Sequence, residues 1–239
     1  MTAIVLYADE DPIAANRPGF SMGTATVKPK SVLVELGYDY SFNNRGVASA
    51  SYAFPITALR TGISDNAELA ISWNGFVVDR DKDYSTFSKS DIAIEGKYRI
   101  YQSEKYNLTA LGILSLPTGT YPSSSKSVDP LVGIIFDYSI WEGDTLFGTV
   151  GASSTQLDHN RIYDTRYALG YSIEHSDTIG SFIELYTIVQ GEPALYDARV
   201  VDFGITYLPT NDIQLDCSVG VALTKYSSNF ISFGATFRF

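Results

Sequence analysis

The sequence predicts an all-β chain: an antiparallel transmembrane β-barrel of about 12 strands, with short turns at one end and longer loops at the other. Three observations carry this expectation. Segments of about 10 residues, the length of a tilted membrane strand, alternate apolar and polar side chains along most of the chain. The connections between them are alternately tight and long. The last segment, Ser232 to Phe239, alternates strictly and ends the sequence on an aromatic residue.

Composition sets the outer bounds. At 239 residues, 45% hydrophobic, with a mean hydropathy near zero, the chain fits one large domain. Its 17 tyrosines suit strands and membrane interfaces, where one end of the side chain is apolar and the other wet. No run of ~18 apolar residues exists, which excludes a transmembrane helix. A transmembrane barrel is not excluded, because alternation hides its hydrophobicity. A net charge of -10 argues against nucleic acid as a partner. A single cysteine, Cys217, allows no intrachain disulfide, and with two histidines it leaves little for a transition-metal site. No metal and no cofactor are expected.

Residues 1–21 read as an N-terminal lead-in and 22–239 as a single barrel. Met1 to Ala8 is short and apolar, as the remnant of an export signal would be. Asp9 to Ser21 has turn formers and no periodicity, which predicts a periplasmic lead-in.

The first strand follows, with Val32, Val34, Leu36, Tyr38 and Tyr40 on one face and Leu33, Glu35, Gly37, Asp39 and Ser41 on the other. Asn43 to Gly46 is turn chemistry. A second strand covers Ala48 to Ile63. Pro55 cannot donate to a ladder, so a bulge is expected there, which leaves the facing of Thr57 to Arg60 open. Next, Leu69, Ile71 and Trp73 alternate with Glu68, Ala70, Ser72 and Asn74. Val78 to Ser88 reads as a long charged loop. The clearest strand sets Ile92, Ile94, Gly96, Tyr98 and Ile100 against Asp91, Ala93, Glu95, Lys97 and Arg99. Tyr106 to Pro117 is apolar, with no facing to be read. Beyond the loop Thr118 to Ser127, Val132, Ile134, Phe136 and Tyr138 lie opposite Asp137. Further strands cover Thr145 to Ser154, Arg166 to Ile173, Thr178 to Ile188 with Glu184 inside it, Val201 to Tyr207 and Ile213 to Val221. Connections near 64–66, 102–105, 142–144, 174–177 and 209–212 are tight; those near 77–88, 118–127, 154–164 and 189–196 are long. A soluble sandwich also alternates. The loop sorting, the strand length and the terminal Phe239 favour the barrel.

The ending Ser232, Gly234, Phe237, Phe239 resembles the C-terminal signal of bacterial outer-membrane barrels, which is read by the barrel-assembly machinery. The chain as a whole resembles the outer-membrane transporter family named for the meta-pathway of phenol degradation. The matching pieces are Arg17-Pro18-Gly19-Phe20-Ser21 with Gly23-Thr24, Leu36-Gly37-Tyr38, Leu59-Arg60-Thr61-Gly62-Ile63 and Gly96-Lys97-Tyr98-Arg99. Further along come Leu116-Pro117-Thr118-Gly119, Thr206-Tyr207-Leu208 and Gln214-Leu215-Asp216. Thr61 departs from the aromatic expected at its place. The resemblance implies a bacterial outer-membrane location, contact with lipid and lipopolysaccharide, and passage of small solutes, hydrophobic or aromatic compounds among them. It implies no catalytic residue.

With the apolar face on lipid, the lumen is expected to hold Glu35, Asp39, Glu68, Asp91, Glu95, Asp137, Glu184, Asp202 and Asp216, faced by Arg60, Lys97, Arg99, Arg166 and Arg238. These residues form either a charged constriction that selects solutes or a set of ion pairs that ties a narrow barrel together. Acids outnumber bases, which predicts a preference for cations or neutral solutes. Two other function classes remain: a closed structural or surface-interaction barrel acting through its outer loops, and an outer-membrane enzyme. His175 falls in a turn and Asp158-His159 in a long loop, and neither has a second catalytic partner in sight. Leu116 to Thr120 lacks the lysine of a phosphate cradle.

Overall fold

A computed structural model describes residues 11–43, 49–157, 160–191 and 196–239. The export-signal reading of Met1 to Ala8, the Asp158-His159 pair, most of the Asn43 to Gly46 turn and residues 192–195 of the loop near 189–196 lie outside the described residues.

Alternating side chains along these segments produce strands and nothing else of length. They are β1 (Val32–Asn43), β2 (Ser49–Ser64), β3 (Ala67–Trp73), β4 (Phe76–Arg80), β5 (Ser85–Lys89), β6 (Ile92–Gln102) and β7 (Tyr106–Leu116). The second half holds β8 (Asp129–Trp141), β9 (Asp144–Leu157), β10 (Asn160–Ser176), β11 (Ile179–Gln190), β12 (Tyr196–Thr210), β13 (Ile213–Ala222) and β14 (Asn229–Arg238). β3 and β4 both pair with β2 and are two halves of one stave, broken at Asn74-Gly75. β5 and β6 pair with those halves in turn, broken at Ser90-Asp91. The fourteen segments therefore make a closed antiparallel barrel of twelve staves.

Closure runs through the C-terminal strand. β14 pairs with β1 from Leu33 opposite Arg238 to Phe42 opposite Asn229. Phe239 N donates to Val32 O at 2.9 Å, and Val32 N returns the bond to Phe239 O at 3.0 Å. With every stave paired on both sides in the lower barrel, no edge is left to lipid there.

The two faces are inverted relative to a water-soluble domain. Leu59, Ile71, Val132, Leu169, Ile183, Phe203 and Phe233 point outward and are exposed, whereas Arg60, Glu68, Lys97, Glu184 and Asp202 point inward and are buried. An apolar exterior around a charged interior is the arrangement that a surrounding bilayer stabilises. The small apolar core consists of Ile13, Val27 and Leu33, with Leu208 packed on it.

The structure resolves four open or mistaken readings. The expected long loop near 154–164 is instead mostly strand: β9 runs on to Leu157 and β10 starts at Asn160, with Ser154 opposite Tyr163 and Leu157 opposite Asn160, because polar side chains there pair in the ladder as well as apolar ones. The expected bulge at Pro55 is present: β1 shifts register between Gly37 and Asp39, opposite Ile56 and Ala53. β7 turns Thr109 and Leu111 inward and leaves Tyr106 and Leu114 exposed. The expected loop Val78 to Ser88 is instead mostly the β4–β5 hairpin, with Phe76 opposite Lys89 and Arg80 opposite Ser85. The charges of Asp79 to Asp83 hid the pairing, because Asp81 and Lys82 form the tip while Val77, Val78 and Phe87 form the legs.

Phe239 is 60% exposed, on the same outward face as Phe233. An acid near the membrane rim costs a finished barrel little. Phe239→Asp is therefore expected to cut the yield of heat-modifiable barrel in the outer membrane sharply, while the barrels that do form keep near-parental thermal stability. A normal yield would reject the assembly-signal reading.

Candidate functional site: a lumen filled from below and open above

The non-periodic stretch before β1 does not lie outside the barrel as a lead-in. From Asp11 to Ser31 it enters the lumen at the turn end, rises to mid-height and returns. Ile13 N donates to Asn211 O at 2.9 Å near the entrance, and Lys28 meets Asp11 at 2.7 Å where the two limbs come together. Such irregular backbone has no ladder of its own, so its polar groups need partners from the wall.

The charged lumen residues supply them. On the way up, Asn16 N donates to Glu35 at 2.9 Å and Ala14 O accepts from Arg60 at 2.7 Å. At the top, the N–H groups of Phe20 and Ser21 reach the Glu184 carboxylate at 2.8 and 3.1 Å. On the way down, Thr109 donates to Thr24 O at 2.7 Å, the Thr24 hydroxyl donates to Asp137, and Lys97 Nζ donates to Ala25 O at 2.7 Å. Val27 N meets Glu68 at 2.7 Å, and Arg99 reaches Thr26 Oγ1 at 2.8 Å.

Beneath these contacts lies a buried ion network. Arg60, with no exposed surface, contacts Glu35 at 2.7 Å and forks onto both Glu68 oxygens at 3.0 Å. Lys97 stands 3.7 Å from Glu68. Bidentate geometry of this kind fixes the carboxylate in orientation as well as in charge.

Arg17 anchors the crest of the segment. Its guanidinium lies over Gly37 and Gly234, where any Cβ would collide with it. It donates to Ser232 Oγ at 2.7 Å and Phe233 O at 3.1 Å and stands 3.4 Å from Asp216. Ser232 in turn donates to Asp39. Ser232 and Gly234, expected as parts of an assembly signal, thus also form the bed of this arginine. Asp202, cross-strand from Glu184, is buried and its carboxylate has no hydrogen-bond partner among the described residues.

Above the crest the lumen opens. One cavity of about 820 Å³ and a second of about 660 Å³ share Arg17, Met22, Glu35, Ile56 and Asn74 in their walls. The first is lined by Trp73, Asp91, Glu95, Tyr121, Asp129 and Arg166, with hydroxyls of Ser72, Ser123 and Ser153 among them. The second includes Phe20, stacked on Tyr186 at 4.2 Å, and Asp39. The β7–β8 connection folds over the first cavity: Lys126 Nζ reaches Gly119 O at 2.5 Å, and Arg161 holds Val128 O at 2.6 Å and Asp129 at 3.2 Å. Below the segment a third cavity, of about 620 Å³, opens among Asp11, Lys28, Lys30, Arg99 and Arg238.

The expected lumen residues all lie on the inner side, Arg60 among them, whose facing the bulge had left open; they fall into three groups. Glu35, Arg60, Glu68, Lys97, Asp137 and Glu184 hold the inserted segment, with Asp202 and Asp216 beside its crest. Asp39, Asp91, Glu95 and Arg166 border the open cavities; Asp91 accepts from Gly119 N at 2.7 Å, Glu95 accepts from Ser72, and Arg166 pairs with Asp164 at 2.9 Å. Arg99 and Arg238 stand at the lower mouth, Arg238 on Asp212 at 2.7 Å. Arg17, Asn16, Tyr121, Lys126 and Asp129 belong to the site but carry no strand signal. The signal that could have found Arg17 was Arg17-Pro18-Gly19-Phe20-Ser21, polar and turn-rich where a strand was absent. His175, expected in a turn, is instead near the exposed end of β10, where its Nε2 lies 2.7 Å from Ser181 Oγ of β11, away from every cavity described above. Among the described residues no three His, Cys, Asp or Glu side chains converge to hold a metal.

Known structures share this architecture. A COG4313 outer membrane channel from Pseudomonas putida F1 superposes with a TM-score of 0.70 at 12% identity, over 93% of this chain and 99% of that one. The KdgM porin gives 0.56 at 6% identity, covering 85% and 98%. In complex with disordered oligogalacturonate it gives 0.54. The translocator domain of autotransporter NalP from Neisseria meningitidis gives 0.58 at 12% identity, covering 87% and 88%. At such identities the likeness is one of fold, that of outer-membrane barrels. No curated protein matches the sequence. The chain belongs to the family described as MetA-pathway of phenol degradation, whose model matches residues 15–239.

Proposed function

We propose that the protein is a channel of the bacterial outer membrane that passes small solutes, with no catalytic role. The observation that carries this reading is the open upper lumen, about 820 Å³ in its larger part, inside a barrel whose outside is apolar. A cavity of that size accommodates a small molecule rather than a chain. Its lining mixes Trp73, Tyr121 and Ile113 with hydroxyls, which suits compact solutes that are part aromatic and part polar. Five acids (Glu35, Asp39, Asp91, Glu95 and Asp129) border the two cavities against three bases (Arg17, Lys126 and Arg166). That balance disfavours a polyanion such as the oligogalacturonate held by the KdgM porin. The filled lower half favours a second reading, a closed barrel acting through its outer loops.

Reversal potentials under a salt gradient distinguish them. The parent is expected to prefer cations, because carboxylates lower the energy of a cation in a narrow lumen. Glu95→Gln should reduce the preference, and rising salt should weaken it as screening shortens to ~10 Å at 0.1 M. Anion preference, or no shift on neutralising Glu95, Glu35 or Asp39, would reject carboxylate control. Absence of conductance would favour the closed barrel.

A further inference from the structure

The buried acids of the lumen are paired with bases, with one exception. Glu35 and Glu68 share Arg60, Asp164 has Arg166 and Asp216 has Arg17. Glu184 and Asp202, each 1% exposed, stand directly opposite one another on β11 and β12. No Arg, Lys or His among the described residues makes an ion pair with either. Glu184 accepts from the N–H groups of Phe20 and Ser21, whereas neither carboxylate oxygen of Asp202 has a hydrogen-bond partner. Two like charges directly opposite in a sheet repel, and a buried carboxylate with no counter-charge is costly.

Aromatic rings enclose the pair. Phe182 lies on Gly204 and Phe230 on Gly220, so closely that a Cβ at either glycine would collide with the ring. Gly204 is two residues from Asp202 along β12, and Gly220 faces it from β13. From the inside, Gly19 of the crest packs on Glu184 and Phe182. Two hydroxyls nearby are also without a partner. Ser218 is diagonal to Asp202 on the inner face of β13, and Ser21 is joined to Glu184 through its own N–H. They are 2% and 7% exposed, and neither Oγ makes a hydrogen bond.

We propose that Glu184 and Asp202 form a calcium site at the crest of the inserted segment, with the hydroxyls of Ser21 and Ser218 completing an all-oxygen set of ligands. Residues directly opposite in a sheet hold their Cβ atoms about 4.5–5.5 Å apart. Two carboxylates at that spacing can share one ion at ~2.3–2.6 Å from its ligands. A divalent cation matches the two negative charges. Calcium takes irregular shells and bidentate carboxylates, whereas magnesium demands an octahedron and keeps several waters, for which so enclosed a place has no room. The scarcity of cysteine and histidine argues against a transition metal but has no bearing on a hard cation, which takes oxygen alone. Tyr186, two residues above Glu184, and Phe230 line the second upper cavity, which gives the ion a way in. Once bound, it lets Glu184 keep the charge that holds the Phe20 and Ser21 N–H groups. The site would therefore tether the crest whether or not the lumen conducts.

The test uses the full chain folded in detergent free of lipopolysaccharide, treated with EDTA and desalted. Calcium chloride is titrated by calorimetry, and terbium is followed by emission sensitised through nearby tyrosine. The parent is expected to take up one calcium per chain, to sensitise terbium until calcium displaces it, and to melt several degrees higher with calcium present. Asp202→Asn removes a charge that holds no backbone group, so the barrel should still migrate as heat-modifiable, with calcium affinity at least tenfold weaker and no calcium-dependent gain in melting temperature. Asp177→Asn, in an exposed turn, should bind as the parent does. If Asp202→Asn does not fold, Glu184→Gln replaces it: its amide oxygen can still accept from the crest, and its affinity should fall likewise. Unchanged affinity in the folded variant overturns the site and places any calcium elsewhere on the protein. A parent that binds no calcium also overturns it, and leaves a shared proton to neutralise the pair.

Discussion

Removal of residues 11–28 is expected to raise single-channel conductance several-fold. Eight staves leave a lumen that side chains fill, and sixteen leave an aqueous channel; at twelve, what else occupies the lumen decides. Here a polypeptide segment occupies the lower half, held by Glu35, Arg60, Glu68, Lys97, Glu184 and Asp137. Without it these side chains meet water. Arg60, Glu35, Glu68 and Lys97 still neutralise one another across β1, β2, β3 and β6, so the wall survives. The measurement is planar-bilayer conductance of the shortened and parent proteins, with heat-modifiable migration showing that both are folded. Unchanged conductance would mean that ions do not travel the axis that this segment obstructs. Arg17→Ser offers a milder version: it removes the bonds to Ser232 and Phe233, and should give larger or more frequent openings without loss of any wall residue.

Arg60→Ala is expected to have the largest effect on stability. The side chain is fully buried and touches two carboxylates, Glu35 and Glu68, on neighbouring staves. Removing one partner of a buried pair leaves uncompensated charge, a loss of about 3–5 kcal/mol. Here two acids are left with only Lys97 near, and Ala14 O loses its donor. The check is the urea dependence of unfolding in detergent, followed by tryptophan fluorescence. Adding Glu35→Gln and Glu68→Gln should recover part of the loss, since neutral amides do not require a cation. A loss below about 1 kcal/mol, the range of exposed ion pairs, would show that water reaches this network in the folded barrel.

The fold was legible because a strand's two faces are a local property. Leu36 and Glu35, Ile94 and Glu95, Ile183 and Glu184 are neighbours in sequence that face different solvents, and the alternation records it directly. The facing of Glu35, Glu68, Lys97 and Asp202 followed from it, as did the twelve staves. Three places resisted. Near 154–164, polar residues hid the ends of β9 and β10, which pair as far as Leu157 and Asn160. In β4–β5, charges at the tip outweighed the apolar legs. In β7, apolar residues stand on both faces, so Thr109 and Leu111 could not be told from Leu108 and Ala110.

What only the tertiary structure decided is what the lumen contains. The sequence sorts side chains into inward and outward, but which inward groups meet depends on the curvature of a closed sheet. Arg17 bonds to Ser232 across 215 positions, and Phe20 to Glu184 across 164. No periodicity extends so far, and a segment without secondary structure has none. The same charges that alternation presents as a candidate selectivity ring therefore divide into those that hold backbone and those that face open space. An unladdered segment inside a barrel must take its hydrogen bonds from the wall, and that need sets the division.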